Sequence, residues 1–233
     1  ASDVYKRQVE ALQLVRSHVP DIIVSDVMMP RMNGYKLCKT IKEDINISHI
    51  PVILLTARDD RQSQISGYKN GADGYLSKPF EVEMLMELIR NRLKNREYTK
   101  KRYLNAGLIP TPEESTISLT DETFLIKLNS IIQENIENSN LGIQFICQEV
   151  GLGRSSLYNK LKALTGMGAN EYISKLRIEK AITLISGTDM PFSEIAEKTG
   201  FTTPSYFSTA FKQYTGETPS QYKERKKKGL ADK

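Results

Sequence analysis

The sequence predicts an α/β unit joined by a linker to an all-α unit, and three observations carry that prediction. Between Val9 and Leu93, short β-branched or apolar runs alternate with amphipathic stretches, the order expected of a parallel sheet with covering helices. Lys100 to Thr120 loses all periodicity and contains Gly107, Pro110 and Pro112, which reads as a linker. From Asp121 onward the apolar positions recur with helical period, and one block of the pattern occurs twice. The boundaries are therefore placed at 1–98, 99–120 and 121–233.

Bulk properties narrow the function class. No apolar run approaches the length of a membrane span, and no signal-peptide core is present, so a cytoplasmic location is expected. Cys38 and Cys147 fall inside helical apolar patterns and read as buried free thiols. His18 and His49 stand alone, suggesting neither a metal site nor a catalytic dyad. The net charge of +5 is concentrated at Arg90, Arg92, Lys94, Arg96, Lys100, Lys101 and Arg102, against which stands only Glu97. That basic joint reads as a solvated helix end or a phosphate-contacting arm.

The α/β part begins with ASDVYKRQ, which resembles translated sequencing-adapter sequence and is set aside. A helix fits Val9–Val19, with Leu12 and Val15 apolar and Pro20 as its stop. Strands follow at Asp21–Asp26, Val52–Leu55 and Gly74–Ser77, separated by helices at Gly34–Asp44 and Arg61–Asn70 and followed by one at Val82–Leu93. Asp26, Thr56 and Lys78 close the three strands, and open parallel sheets bind ligands at such carboxyl ends. A carboxylate can act as nucleophile, while a hydroxyl and an ammonium can hold phosphoryl oxygens. Singly, each has a plain explanation: turn former, helix cap, surface charge.

Together SDVMMPRMNG, PVILLTA and GADGYLSKPF resemble the receiver domain of bacterial response regulators. The resemblance implies Asp26 as phosphoacceptor, Lys78 as phosphoryl contact and Thr56 with Tyr75 as a switch pair. It also implies Mg2+ held by Asp26 and the Met28 carbonyl. A complete receiver begins with a strand, an acidic pair, a helix and a second strand, none of which precedes Val9. The expected fold is thus a partial flavodoxin-like receiver, strands 3-4-5 only of the order 2-1-3-4-5. The expectation is a fragment of a longer product, with an unpaired edge on the Asp26 strand, an incomplete Mg2+ site and impaired phosphorylation.

In the helical part, Thr120 or Asp121 caps a helix whose apolar stripe is Phe124, Leu128, Ile131, Ile132 and Ile136. Gly151 and Ile146 lie 49 positions before Gly200 and Ile195; beyond the turn the offset becomes 50, pairing Leu157 with Phe207, Leu161 with Phe211 and Tyr172 with Tyr222. In the second copy Thr202, Thr203 and Pro204 start a helix, Phe207, Phe211 and Tyr214 form its apolar stripe, and Gly216 ends it. Helix, Gly turn and second helix with a polar outer face is the recipe of a helix-turn-helix.

GLGRSSLYNKLKALTG, KLRIEKAITLI and GFTTPSYFSTAFKQYTGETPSQY resemble the AraC-type DNA-binding domain, an all-α domain with two helix-turn-helix units on a bridging helix. Leu157, Leu161 and Leu164 point inward, so Arg154, Ser155 and Asn159 are the base-reading candidates, and Lys160 and Lys162 are assigned to phosphates. The second unit offers Thr203, Ser205, Ser208, Thr209, Lys212 and Gln213, with Tyr206 and Phe207 assigned to the core. Arg177 contacts a phosphate or braces the two units. The two reading helices are expected in successive major grooves.

The implied function is a sequence-specific DNA-binding transcription regulator of a two-component phosphorelay, not an enzyme, with DNA binding governed by Asp26. Its implied partners are a double-stranded operator, a histidine kinase and a second copy of itself when activated; no small-molecule ligand is readable. SLTDETFLIKLNSIIQENI ahead of the AraC-type domain resembles the carboxyl end of Bacteroides-group hybrid two-component proteins, whose kinase shares the chain and whose parent is anchored in the inner membrane. An ordinary two-domain response regulator carries the same motifs. The alternative function is an interaction module that docks a kinase and dimerises.

Overall fold

The computed structural model describes residues 11–29, 32–57, 70–105 and 118–231. The helix expected at Arg61–Asn70, residues 1–8 and the Gly/Pro part of the linker lie outside them, apart from Asn70. The chain forms two compact units, Ala1–Leu125 with Ser155–Gly166, and Ile126–Arg154 with Met167–Lys233.

In the first unit, residues 11–18 form helix α1. The sheet has three parallel strands, β1 (Ile23–Asp26), β4 (Val52–Thr56) and β5 (Gly74–Ser77), in the order β1-β4-β5. Ile23 is in register with Val52 and Asp26 with Leu55; Ile53 is in register with Gly74 and Thr56 with Ser77. β4 lies between the other two and is apolar without alternation, as a strand covered on both faces must be. Among the described residues β1 pairs only with β4, and Val24 on it is 40% exposed.

Between β1 and helix α2 (Gly34–Glu43) the chain forms a two-residue antiparallel pair, β2 (Met28–Met29) with β3 (Met32–Asn33). Strands of two residues are too short to show a period in the sequence. Asn33 caps α2 by accepting from the Tyr35 N–H at 2.9 Å. Cys38 and Ile41 of α2 meet Val27, Ile47, Ile50, Val52, Leu54 and Ala72 in one buried cluster. Burial also pushes the Cys38 thiol up to about 11, so it is an inert apolar filler.

Helix α3 runs from Val82 to Asn105, well beyond the expected end at Leu93. The apolar period fades after Leu93, but Lys94–Asn105 holds no Gly or Pro and is mostly good helix formers. The Lys100–Glu97 pair at 2.5 Å lies within this extension. Helix α4 (Leu119–Glu134) begins one residue before the expected cap, and Ser118 fills that role, its Oγ accepting from the Asp121 N–H at 3.2 Å. The boundary between the two units falls inside α4.

The second unit contains α5 (Ile143–Val150), α7 (Ala169–Gly187), α8 (Phe192–Lys198), α9 (Pro204–Thr215) and α10 (Pro219–Ala231); α6 (Arg154–Thr165) lies in the first unit apart from Arg154. No helix among the described residues is long and apolar enough to cross a membrane. The core is an aromatic run: Phe201, Phe207, Phe211 and Tyr222 follow one another at centroid spacings of 5.3, 5.7 and 5.6 Å, packed with Ile178, Ala181, Ile185, Ile195 and Ala196. Tyr206, expected in the core, is 57% exposed, because it lies about 100° around the helix from Phe207. Tyr214 is 41% exposed, and its hydroxyl reaches Glu179 at 3.4 Å. Burial and the Glu179 carboxylate push that phenol up to about 12.

Gly200, at the turn between α8 and α9, has φ of +72°, and a Cβ there would collide with the Ile136 carbonyl oxygen and press on the Arg177 guanidinium. Gly200→Ala is therefore expected to cost well over about 1 kcal/mol, read as a lower midpoint in urea by far-UV circular dichroism. An unchanged midpoint would mean that the turn relaxes at no cost.

Candidate functional site

The three strand-end residues were singled out for their position, and the parallel register delivers two of them to one contact. Asp26 ends β1 and Lys78 follows β5; the Lys78 Nζ donates to Asp26 Oδ2 at 2.6 Å, with both side chains partly exposed. Thr56 ends β4 and is 1% exposed, and its carbonyl accepts from the Lys78 N–H at 2.6 Å. Gly34, at the start of α2, packs so close that a Cβ would drive into the Asp26 carbonyl oxygen, while its N–H donates to Val27 O at 3.1 Å. The glycine thus lets α2 press against the strand end that carries Asp26. Tyr75 in β5 is half-buried, and its hydroxyl lies 3.3 Å from that of Tyr35 on α2. Tyr35 was missed by sequence reasoning; a tyrosine in the first turn of the helix after the Asp26 loop was the available signal.

Polar faces occur on α6 in the first unit and, separately, on α9 in the second. On α6, Arg154, Ser155, Tyr158 and Lys162 are exposed and Asn159 is half-buried, while Leu157, Leu161 and Leu164 are buried. Arg154 Nη2 reaches Gln144 Oε1 at 3.4 Å. On α9, Thr203, Ser205, Thr209, Lys212 and Gln213 are exposed and Ser208 is half-buried, while Phe207 and Phe211 are fully buried. The Thr203 hydroxyl is occupied as the helix cap, accepting from the Tyr206 N–H at 3.2 Å. The hydroxyls of Ser208 and Thr209 donate back to Pro204 O and Ser205 O at 2.9 and 3.1 Å.

Residues 2–90 match the Response regulator receiver domain family, and residues 146–225 match the family described as Helix-turn-helix domain. The chain is 30% identical to "Probable transcriptional regulator ycf29" of Pyropia yezoensis, over 70% of this chain and 78% of that protein. It is 43% identical to "Histidine kinase P4" of Formosa agariphila, over 92% of this chain but 16% of that protein. A solved structure, the C-terminal domain of the response regulator AraT from Geobacillus stearothermophilus, is 31% identical, covers 44% of this chain and 84% of that one, and has a TM-score of 0.42. The chain belongs to the response regulators.

It carries a receiver domain and a helix-turn-helix domain. The receiver match starts at residue 2 and so takes in most of the stretch that the sequence reading set aside. The chain spans 16% of the Formosa agariphila relative and 39% of "Response regulator Rre1" of Synechocystis. Receiver domains as a family generally bind Mg2+ at their phosphorylation site. The described residues do not fit that ion as they stand: they contain no group of three or more His, Cys, Asp or Glu side chains able to hold a metal. Asp26 offers one carboxylate, already held by Lys78, and the Met28 carbonyl would add one oxygen, where a hard cation takes about six.

Lys160, assigned to a DNA phosphate, is placed otherwise, and Arg177, read as either a phosphate contact or a brace, makes an internal contact. Arg177 on α7 is half-buried, and its Nη2 donates to Asn138 O at 2.7 Å, bracing the turn beside Gly200. Lys160 is 0% exposed and is paired with Asp121 Oδ1; it also donates to Ser48 Oγ at 2.8 Å and sits 5.1 Å from the centroid of Phe124. The reason is positional: Leu157, Lys160, Leu161 and Leu164 fall at i, i+3, i+4 and i+7, so Lys160 lies on the inward stripe. Ser48 Oγ also donates to Asp121 Oδ1 at 2.7 Å. Burial alone would raise the Asp121 carboxyl, but the Lys160 ammonium and hydrogen bonds from Lys160, Ser48 and Ser118 hold it below the usual range.

Removing one partner of a buried pair strands the other charge. Lys160→Met is therefore expected to destabilise the chain by about 3–5 kcal/mol, and Lys160→Met with Asp121→Leu to recover most of the loss. Chemical denaturation of the two variants checks this; a double variant as unstable as the single one would mean that the pair itself, and not the stranded carboxylate, holds the site.

Proposed function

We propose that this chain is the DNA-reading end of a two-component phosphorelay, a sequence-specific transcription regulator whose binding is governed at Asp26. The observation that carries the reading is the division of α6 and α9: their leucines and phenylalanines are buried, and hydrogen-bonding side chains occupy their exposed faces. Each helix would enter a major groove. Arg154 suits the bidentate guanine edge and Asn159 the adenine edge, with Ser155 beside them. Lys162 and Lys212 would meet phosphates. Ser205 and Gln213 remain free to read, whereas Thr203, Ser208 and Thr209 spend their hydroxyls on the helix, which favours shape-dependent readout on that side.

At the receiver end, an Asp26 carboxylate oxygen would attack the phosphorus of a kinase phosphohistidine. A P–O bond forms, the P–N bond breaks, and the imidazole leaves. The Lys78 ammonium, already on Asp26, is placed to follow the new phosphoryl oxygens, and Thr56 with Tyr75 would form the switch pair. Loss of the Tyr35–Tyr75 contact would accompany that switch. A homodimer is the expected active state. The relative in Formosa agariphila bears the name of a histidine kinase and extends far beyond the matched segment, which supports a hybrid parent with kinase and regulator in one chain.

Selection of a preferred duplex by the whole chain tests the DNA half. Arg154→Ala is expected to relax preference at one base pair by about 1–3 kcal/mol; a uniform loss over all sequences would make Arg154 a phosphate contact instead. Intact mass after incubation with acetyl phosphate and Mg2+ tests the receiver half. The expected result is at most a substoichiometric phosphoryl adduct, since the described donor set is small, and none on Asp26→Asn. Equal adduct on the Asn variant would place the acceptor elsewhere.

A further inference from the structure

The sheet has a second end, opposite Asp26, and a cavity of about 80 Å3 opens there. Its wall includes Pro51 and Asp73, which precede β4 and β5, whereas Asp26, Thr56 and Lys78 stand where the strands finish. The remaining wall comes from α3 with Arg92 and Arg96, from the loop with His49, and from Ala163 and Leu164 of α6. A space of this size holds several water molecules or one small polyatomic ion, at about 10–15 Å3 for each water.

The polar groups on the wall are not equally satisfied. Lys42 is paired with Asp73 at 2.7 Å, Asp121 with the buried Lys160, which is not itself on the wall, and Arg96 with Asp21 at 3.6 Å. Arg92 has no carboxylate within ion-pair distance among the described residues, and its buried Nε has no acceptor. His49 is 7% exposed, and neither of its ring nitrogens has a hydrogen-bond partner. Orphaned donors at this depth are rare in folded proteins and point to a missing partner. Burial, then the positive charges of Lys160, Arg96 and Lys42 against the opposing Asp121, push the His49 imidazolium down to about 3. Three of the four charges acting on the ring are positive.

We infer that this cavity is a binding site for a small phosphate-class oxyanion, held by the Arg92 guanidinium and a His49 ring nitrogen. A guanidinium and an imidazole N–H both need acceptors, and an oxyanion supplies several around one centre while compensating the Arg92 charge. Hydrogen phosphate carries an O–H as well, which satisfies an unprotonated ring nitrogen. An ion seated here also touches the wall formed by α6, so its presence is felt by a helix that the proposed function assigns to DNA.

The test is isothermal titration calorimetry of the full chain with inorganic phosphate, against chloride at equal ionic strength. Saturable binding is expected, weakened about tenfold or more by Arg92→Gln and by His49→Gln, the loss of one charge-assisted hydrogen bond. Lys78→Ala and Lys212→Ala should leave it unchanged, which separates this site from the phosphoacceptor end and from the DNA face. Should His49→Gln fail to fold, the half-exposed Arg92 position decides alone. No saturable heat would show that water fills the cavity and overturn the proposal. So would binding that survives Arg92→Gln or is lost in Lys78→Ala or Lys212→Ala. None of these results depends on the chain binding DNA, so the two readings fail separately.

Discussion

A lysine ammonium with no exposure at all is the most demanding group in this molecule. Burying such an ion costs several kcal/mol even after relaxation, and three contacts offset it: the Asp121 carboxylate, the Ser48 hydroxyl and the face of Phe124. Those contacts come from the loop before β4 and from the first turns of α4, so one charge on the middle of α6 joins three parts of the first unit that are far apart in sequence. An apolar residue would sit there at lower cost, but it would not require Asp121 and Ser48 to be in one place. The pair specifies an arrangement more than it adds stability. Ser48 and Asp121 of this arrangement also line the neighbouring cavity.

The second unit solves the opposite problem with apolar matter. Phe201, Phe207, Phe211 and Tyr222 stack edge to tilted face, and Gly200 lets the turn pass beneath Arg177 and the Ile136 carbonyl. With Phe207 and Phe211 of α9 committed inward, its exposed positions are left to side chains that hydrogen-bond, Tyr206 and Tyr214 among them. Packing and exposed polar groups are thus divided by helix face, and the same division holds on α6 for the leucines, with Lys160 as the exception.

Legibility followed the size of the physical signal. The parallel strands were readable because Val52–Leu55 of β4 is apolar throughout, and the start of α9 because Thr203 and Pro204 have few other uses. Gly216 was readable as a stop, and it adopts φ of +83°. The β2–β3 pair and the long tail of α3 were not: the first is too short for a period, and the second rests on helix propensity after its apolar stripe has ended. At the strand ends, position and residue type named Asp26, Thr56 and Lys78, but no spacing rule reveals that Tyr35 meets Tyr75 across forty residues. Lys160 was misplaced because charge was weighed above phase; its i+3 place in a leucine stripe was the better guide. Isolated His49 seemed uninformative for the same reason, since its environment comes from residues distant in the chain.

The central claim is that the exposed faces of α6 and α9 bind a duplex through its phosphates and bases. The most direct measurement is the affinity of the whole chain for its selected duplex as a function of salt. With Arg154, Lys162 and Lys212 exposed on those faces, counterion release predicts log K falling linearly with log salt at a slope of about −3 or steeper, roughly −0.9 for each phosphate neutralised. Affinity that is weak, indifferent to sequence and flat with salt would contradict the account and leave a protein-interaction module in its place.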